Sequence, residues 1–158
     1  MVWSCLVSIL PGMAQTEKLT DYVNPFVGTD GYGNVYPGAQ IPFGGIQISP
    51  DTDSRFYDAA SGYKYNHLTL MGFSLTHLSG TGIPDLGDFL FIPGTGEMKL
   101  EPGTHEDPDQ GYRSRYSHDK EWASPNYYAV ELADYGVKAE MTSGVRSGMF
   151  RFTYPESD

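Results

Sequence analysis

Apolar and polar residues alternate with period two along the end of the chain. Tyr128, Val130 and Leu132 are interleaved with Ala129 and Glu131, and Asp134-Tyr135-Gly136 reads as a turn. Val137, Ala139 and Met141 then alternate with Lys138, Glu140 and Thr142 up to a second turn at Ser143-Gly144. Phe150, Phe152 and Tyr154 alternate with Arg151 and Thr153 beyond it. Side chains of a strand point to opposite faces in turn, so this pattern predicts an antiparallel meander with one face buried and one wet.

Upstream, the same reading predicts a short strand at Ile46-Gln47-Ile48-Ser49 that enters a turn at Pro50-Asp51-Thr52. Leu68 to Leu75 is an apolar stretch between polar loops, which suits one buried strand. The segments Val27 to Asn34, Tyr36 to Ala39 and Pro42 to Gly45 are punctuated by Gly and Pro and read as loops. No segment carries sustained helical periodicity with caps. A lone meander leaves its apolar face and edge strands exposed, so the expected architecture is all-β, a closed or sandwiched antiparallel sheet; a β-sandwich would want more strands than these, so it is expected to be incomplete at its carboxy-terminal end.

Composition agrees with a folded β domain rich in turns: 39% of residues are hydrophobic, 14% aromatic, and Gly with Pro fill 30 of 158 positions. The formal net charge of −10 argues against a nucleic-acid partner, because phosphate binding needs a clustered excess of Lys and Arg. Neutral ligands such as sugars remain open. The single cysteine, Cys5, lies in the apolar run Val2 to Leu10, so no disulfide framework is available. That run is shorter than the about 20 residues of a membrane-spanning helix. With small residues at Gly12 and Ala14 before Gln15, residues 1–14 read as the remnant of a signal peptide, and a secreted or periplasmic location is expected. No Lys or Arg precedes the apolar run, which departs from the usual leader.

Candidate chemistry concentrates in loops. Gly72-Phe73-Ser74-Leu75-Thr76-His77-Leu78-Ser79-Gly80-Thr81-Gly82 leaves a strand and enters a stretch of small hydroxyl residues around one imidazole. His77 can face a ligand or hydrogen-bond a neighbouring carbonyl, and composition favours the second. No Gly-x-Ser-x-Gly elbow supports Ser79 as a nucleophile, and Gly28 to Gly33 lacks the Gly-Lys-Ser/Thr ending of a phosphate loop. Turn capping is the expected use of most of Asp30, Asp51, Asp53, Asp58, Asp85 and Asp88, with no EF-hand spacing among them. Phe56-Tyr57 and Tyr63 to Tyr65 place aromatic rings in a loop, where rings stand exposed more often than in a core. Sugars rest their C–H faces on such rings while carboxylates and imidazoles bind hydroxyls, so Tyr57, Asp58 and His77 form a candidate sugar site.

Five strings in order resemble the amino-terminal domain of glycoside hydrolase family 92, a family of exo-acting α-mannosidases. They are Tyr22-Val23-Asn24-Pro25-Phe26-Val27-Gly28-Thr29; Tyr36-Pro37-Gly38-Ala39 with Pro42-Phe43-Gly44; Ser61-Gly62-Tyr63; Gly72-Phe73-Ser74 with Thr76 to Gly82; and Asp85-Leu86-Gly87-Asp88. The resemblance runs from about Asp21 to Pro155. It implies an amino-terminal β-sandwich, here residues 15–158, packed on a carboxy-terminal (α/α)6 domain that this chain lacks. It further implies an inverting reaction in which an acid and a base stand roughly 6.5 to 9.5 Å apart. Acid, base and calcium ligands belong to the carboxy-terminal domain, so neither catalytic nor metal-binding residues are expected in this chain, and it is expected to be inactive alone.

The part present is expected to line the leaving-group side of the cleft, with mannose-containing glycans and the missing domain as partners. A Trp-Asp pair of the α-1,2-preferring members falls at Tyr57-Asp58, so the acid is kept and the ring is smaller. His77 matches the family string, while Phe150 stands before Arg151 where a His is expected. The alternative is a stand-alone carbohydrate-binding module.

Overall fold

The computed structural model describes residues 17–53, 57–80, 82–83 and 87–156, with Asp58 described by its backbone alone. The expected leader, residues 1–14, lies outside the described residues, as do Phe56, Thr81 and Asp85. Among the described residues the only helices are four short 3-10 turns, Leu19–Tyr22, Tyr57–Ala59, Pro108–Gln110 and His118–Lys120.

Among the described residues nine strands form three antiparallel sheets. The largest runs in the order β6 (Glu121–Ser124), β7 (Tyr127–Leu132), β8 (Val137–Ser143) and β9 (Gly148–Thr153). Its register pairs Tyr128 with Met141 and Met141 with Phe150, then Val130 with Ala139 and Ala139 with Phe152. The predicted apolar sets therefore share one face. Glu131 opposite Lys138, and Glu140 between Ala129 and Arg151, occupy the other. A second sheet has the order β1 (Ser49–Asp51), β3 (Gly72–Ser74), β4 (Leu90–Phe91), and a third pairs β2 (Thr69–Leu70) with β5 (Ser114–Arg115). Phe73 of β3 lies 6.4 Å from Phe150 and 6.5 Å from Phe152, and Phe91 of β4 lies 5.3 Å from Phe150. The two larger sheets thus face one another over a core that also contains Ile48, Tyr63, Leu70, Tyr128, Val130, Leu132 and Val137. The sandwich expected from the sequence is present. Phe150 packs in this aromatic cluster, so the position where a polar residue was expected serves packing.

The sequence patterns err at three places. The strand expected at Ile46 to Ser49 runs later and through Pro50, with Pro50 opposite Phe73. Ile48 donates its N–H to Ala39 and accepts from Ala39 in return, on the side away from β3. Two residues on, the Pro50 nitrogen points the same way, so the proline removes no hydrogen bond to β3. Leu68 to Leu75 is not one strand. It divides into β2 and β3, which serve different sheets. The break is at Met71, whose N–H is taken by the Asp51 carbonyl, and at Gly72, where φ is +152° and a Cβ would lie 2.7 Å from the Phe91 carbonyl oxygen. Finally, Tyr154 falls beyond β9 and is exposed.

β6 was not legible as part of the meander, because Glu121 occupies a core-facing position opposite Val130. Its carboxylate is buried and accepts hydrogen bonds from Tyr63 (3.0 and 3.1 Å) and Tyr128 (2.5 Å). His118 Nδ1 lies 2.6 Å from it, and His118 Nε2–H donates to the Tyr65 carbonyl at 2.7 Å. Tyr63, expected as an exposed loop ring, is 1% exposed. Its hydroxyl has a carboxylate partner inside the core, and that is what permits burial.

Candidate functional site

Three loops converge at one edge of the sandwich: residues 28–38, 57–65 and 74–82. The first is held onto the second by three hydrogen bonds. Tyr65 N–H donates to the Thr29 carbonyl at 2.9 Å, Ser61 Oγ donates to the Val35 carbonyl at 3.1 Å, and Lys64 Nζ donates to the Gly31 carbonyl. The third loop joins the first through Gly80 N–H and the Asn34 carbonyl, 2.6 Å apart. Each loop is too polar and too rich in glycine to extend a strand, and the backbone bonds among them replace a sheet ladder.

His77 lies at the base of this arrangement and is 6% exposed. Its Nδ1–H donates to the Gln47 carbonyl at 2.8 Å, and Nε2 stands 2.9 Å from Asp51 Oδ1 and 3.0 Å from Ser74 Oγ. Burial works against a charged ring, while the Asp51 carboxylate and the hydrogen bonds to Asp51 and Gln47 favour it. The balance raises the His77 pKa above its ordinary 6.5. The Tyr36 ring packs on the imidazole at 5.0 Å, and burial pushes the Tyr36 phenol up to about 12. Gly62 is required here. Its φ is +89°, and a Cβ would lie 2.3 Å from Asp51 Oδ1 and 2.9 Å from His77 Cδ2. Three of the resembling strings, those holding Tyr36, Gly62, and Ser74 with His77, therefore meet around the buried His77–Asp51 pair.

Asp51 and Asp53, expected as turn caps, are instead buried, at 4% and 1% exposure. Asp51 belongs to β1 and faces His77, while Asp53 Oδ2 lies 3.4 Å from His105 Nε2. Asp30 does cap its turn, accepting from Gly31 N–H at 2.8 Å, and Asp88 accepts from the Thr76 hydroxyl at 2.8 Å.

Exposed aromatic rings stand on these loops. Tyr57, in the 3-10 turn Tyr57–Ala59, is 63% exposed, and its ring lies 6.3 Å from that of Tyr32 at an interplanar angle of 54°. Asp58 shares that turn, and its side chain lies outside the described residues. Gly82 backs the Tyr57 ring so closely that a Cβ on it would sit 2.0 Å from Tyr57 Cε2. The three candidate residues are thus brought to one loop cluster but at different depths, with Tyr57 exposed and both nitrogens of His77 engaged by protein groups. Tyr32 and Lys64 were missed. The Gly31-Tyr32-Gly33 string was set aside with the phosphate-loop reading, although a ring between two glycines at a loop tip is itself a signal of exposure. Among the described residues, no group of three or more His, Cys, Asp or Glu side chains is placed to hold a metal ion. No described helix is long and apolar enough to cross a membrane.

Solved structures that superpose on this sandwich include glycosyl hydrolases. A solved family GH92 glycosyl hydrolase, ccman5, superposes with a TM-score of 0.71 at 32% identity over 86% of this chain and 19% of its own. The family GH92 inverting mannosidase from Bacteroides thetaiotaomicron matches with a TM-score of 0.62 at 25% identity, over 89% of this chain and 19% of its own. An uncharacterized secreted glycosidase of Arthroderma benhamiae is 30% identical over 139 residues, which is 87% of this chain and 17% of that protein. The family model of the glycosyl hydrolase family 92 N-terminal domain matches residues 22–158, and the chain belongs to that family. It spans less than a fifth of the length of these relatives.

Proposed function

We propose that this chain is the cleft-lining part of the amino-terminal sandwich of an exo-acting, inverting α-mannosidase. A carboxy-terminal (α/α)6 domain supplies the general acid, the base and the calcium ligands. The observation that carries the reading is the exposed Tyr57 ring, backed by Gly82 in a cluster of three interlocked loops. An exposed, rigidly backed ring suits the apolar face of a neutral sugar, and the acidic chain suits no phosphate ligand. Tyr57 stacks on the leaving-group sugar, Asp58 binds its hydroxyls, and His77 holds the loop through Ser74, Asp51 and Gln47. The substrates are mannose-containing glycans met outside the cytoplasm, in a secreted or periplasmic setting. The solved relative with an inverting mannosidase's name and the secreted Arthroderma glycosidase support this reading.

The test uses the full-length protein. Hydrolysis of α-linked mannobiose should release the β-anomer of mannose first, read by proton NMR. Tyr57→Ala should lower kcat/KM on mannobiose by roughly two- to twelvefold, the value of one aromatic contact of about 0.5–1.5 kcal/mol. The loss should be smaller on α-mannosyl fluoride, which has no leaving-group ring to stack. Equal losses on the two substrates would remove Tyr57 from the leaving-group side, and release of the α-anomer would overturn inversion.

A further inference from the structure

We propose that Tyr32 is a second stacking platform, so that the leaving-group side accommodates two successive sugar units and favours longer glycans. This rests on the reading of Tyr57 as the first platform. Tyr32 is 79% exposed at the tip of the Gly28–Asn34 loop, and its ring is neighbour to that of Tyr57 at 6.3 Å. An inclination of 54° means that the two rings present separate faces, and one pyranose cannot lie flat on both. The Tyr57 ring is backed by Gly82, in the loop that leads from His77. On this proposal Tyr32 takes the sugar unit beyond the one on Tyr57.

The Tyr32 ring is also held in place. Lys64 Nζ lies 5.8 Å from the Tyr32 ring centroid while donating to the Gly31 carbonyl, which ties the cation to the same loop tip that carries the ring. Tyr65 N–H and Ser61 Oγ fix that loop at Thr29 and Val35. A ring so exposed contributes little to the core, and the bonds that hold its loop rigid lower the ordering cost of binding.

The experiment measures kcat/KM of the full-length protein on α-linked mannobiose and on the corresponding mannotriose, for the wild type, Tyr32→Ala, Tyr32→Phe and Tyr57→Ala. Thermal midpoints check that each variant is folded. Tyr32→Ala should lower the mannotriose-to-mannobiose ratio by roughly three- to tenfold, and Tyr32→Phe should keep the wild-type ratio because the ring is retained. If Tyr57→Ala lowers kcat/KM on both substrates while Tyr32→Ala leaves the ratio unchanged, the second platform is refuted and the first stands. If Tyr57→Ala changes neither value, the first platform falls and the second falls with it.

Discussion

Replacing Glu121 with Leu keeps most of the side-chain volume and removes both acceptor oxygens from a place where three donors converge. Tyr63 and Tyr128 reach the carboxylate from the core and His118 from its margin. The tyrosines are 1% and 0% exposed, so water cannot replace the lost acceptor, whereas the His118 side chain is 25% exposed and can be rehydrated. An orphaned buried hydroxyl costs about 1–3 kcal/mol; Tyr128 loses its acceptor while Tyr63 retains a contact with the Tyr116 side chain, so the total is about 1–6 kcal/mol. The upper end of that range is a large share of the 5–15 kcal/mol that typically holds a protein folded. Amide hydrogen exchange of β7 in the full-length protein reads the effect as a fall in opening free energy. The decisive comparison adds Tyr63→Phe and Tyr128→Phe. In the wild-type background each removes a hydrogen bond to a charged group and destabilises β7. In the Glu121→Leu background together they remove the hydroxyls that lost this acceptor and restore part of the loss. A fall of less than about 1 kcal/mol for Glu121→Leu, or a further loss on adding the two phenylalanines, would refute the reasoning.

Three further outcomes are expected. His77 has a raised pKa, so its pairing with Asp51 stabilises the fold fully below the ordinary value of 6.5, and that stabilisation fades as pH climbs through the higher folded value. NMR titration of His77 should give a midpoint above 6.5 that falls in Asp51→Asn, and a midpoint unmoved by that change would contradict the ion pair. Gly62→Ala should cost about 2 kcal/mol or more, from the left-handed backbone and the collision with Asp51, read as a lower midpoint in urea. On the outer face of the large sheet, Arg151 (2.6 and 2.7 Å) and the Tyr127 hydroxyl (2.7 Å), together with Lys138, hold the Glu140 carboxyl down at about 2. Its stabilising effect is present above its ordinary 4.5 and lost as pH falls towards 2, and Arg151→Ala should move the Glu140 carboxyl titration upwards in NMR.

Much of the site could be located in the sequence and little of its depth. The strings around Tyr36, Gly62 and His77 marked three loops, and those loops do meet. What they could not convey is that His77 is turned inward, because its carboxylate partner stands 26 residues away in a segment read as a turn. Tyr57 and Tyr63 are six positions apart in the same loop, yet one is 63% exposed and the other 1%. Only the distant Glu121 distinguishes them.

The alternation of side chains by itself determined three of the four strands of the large sheet, β7 to β9. Tyr128, Met141 and Phe150 form one cross-strand row and Val130, Ala139 and Phe152 another, because a period of two assigns every apolar residue to one face once the turns set the register. Composition and charge argued against a nucleic-acid partner. Tertiary structure alone decided the fate of the polar groups. Glu121 can point into the core only because two tyrosines and a histidine donate to it there, one of them from 58 residues away. Leu68 to Leu75 divides between two sheets because β1 and β5 claim different halves of it. A hydrophobicity pattern reports what each residue prefers locally, whereas burial of a carboxylate, an imidazole or a phenol depends on a partner that only folding brings within hydrogen-bonding distance.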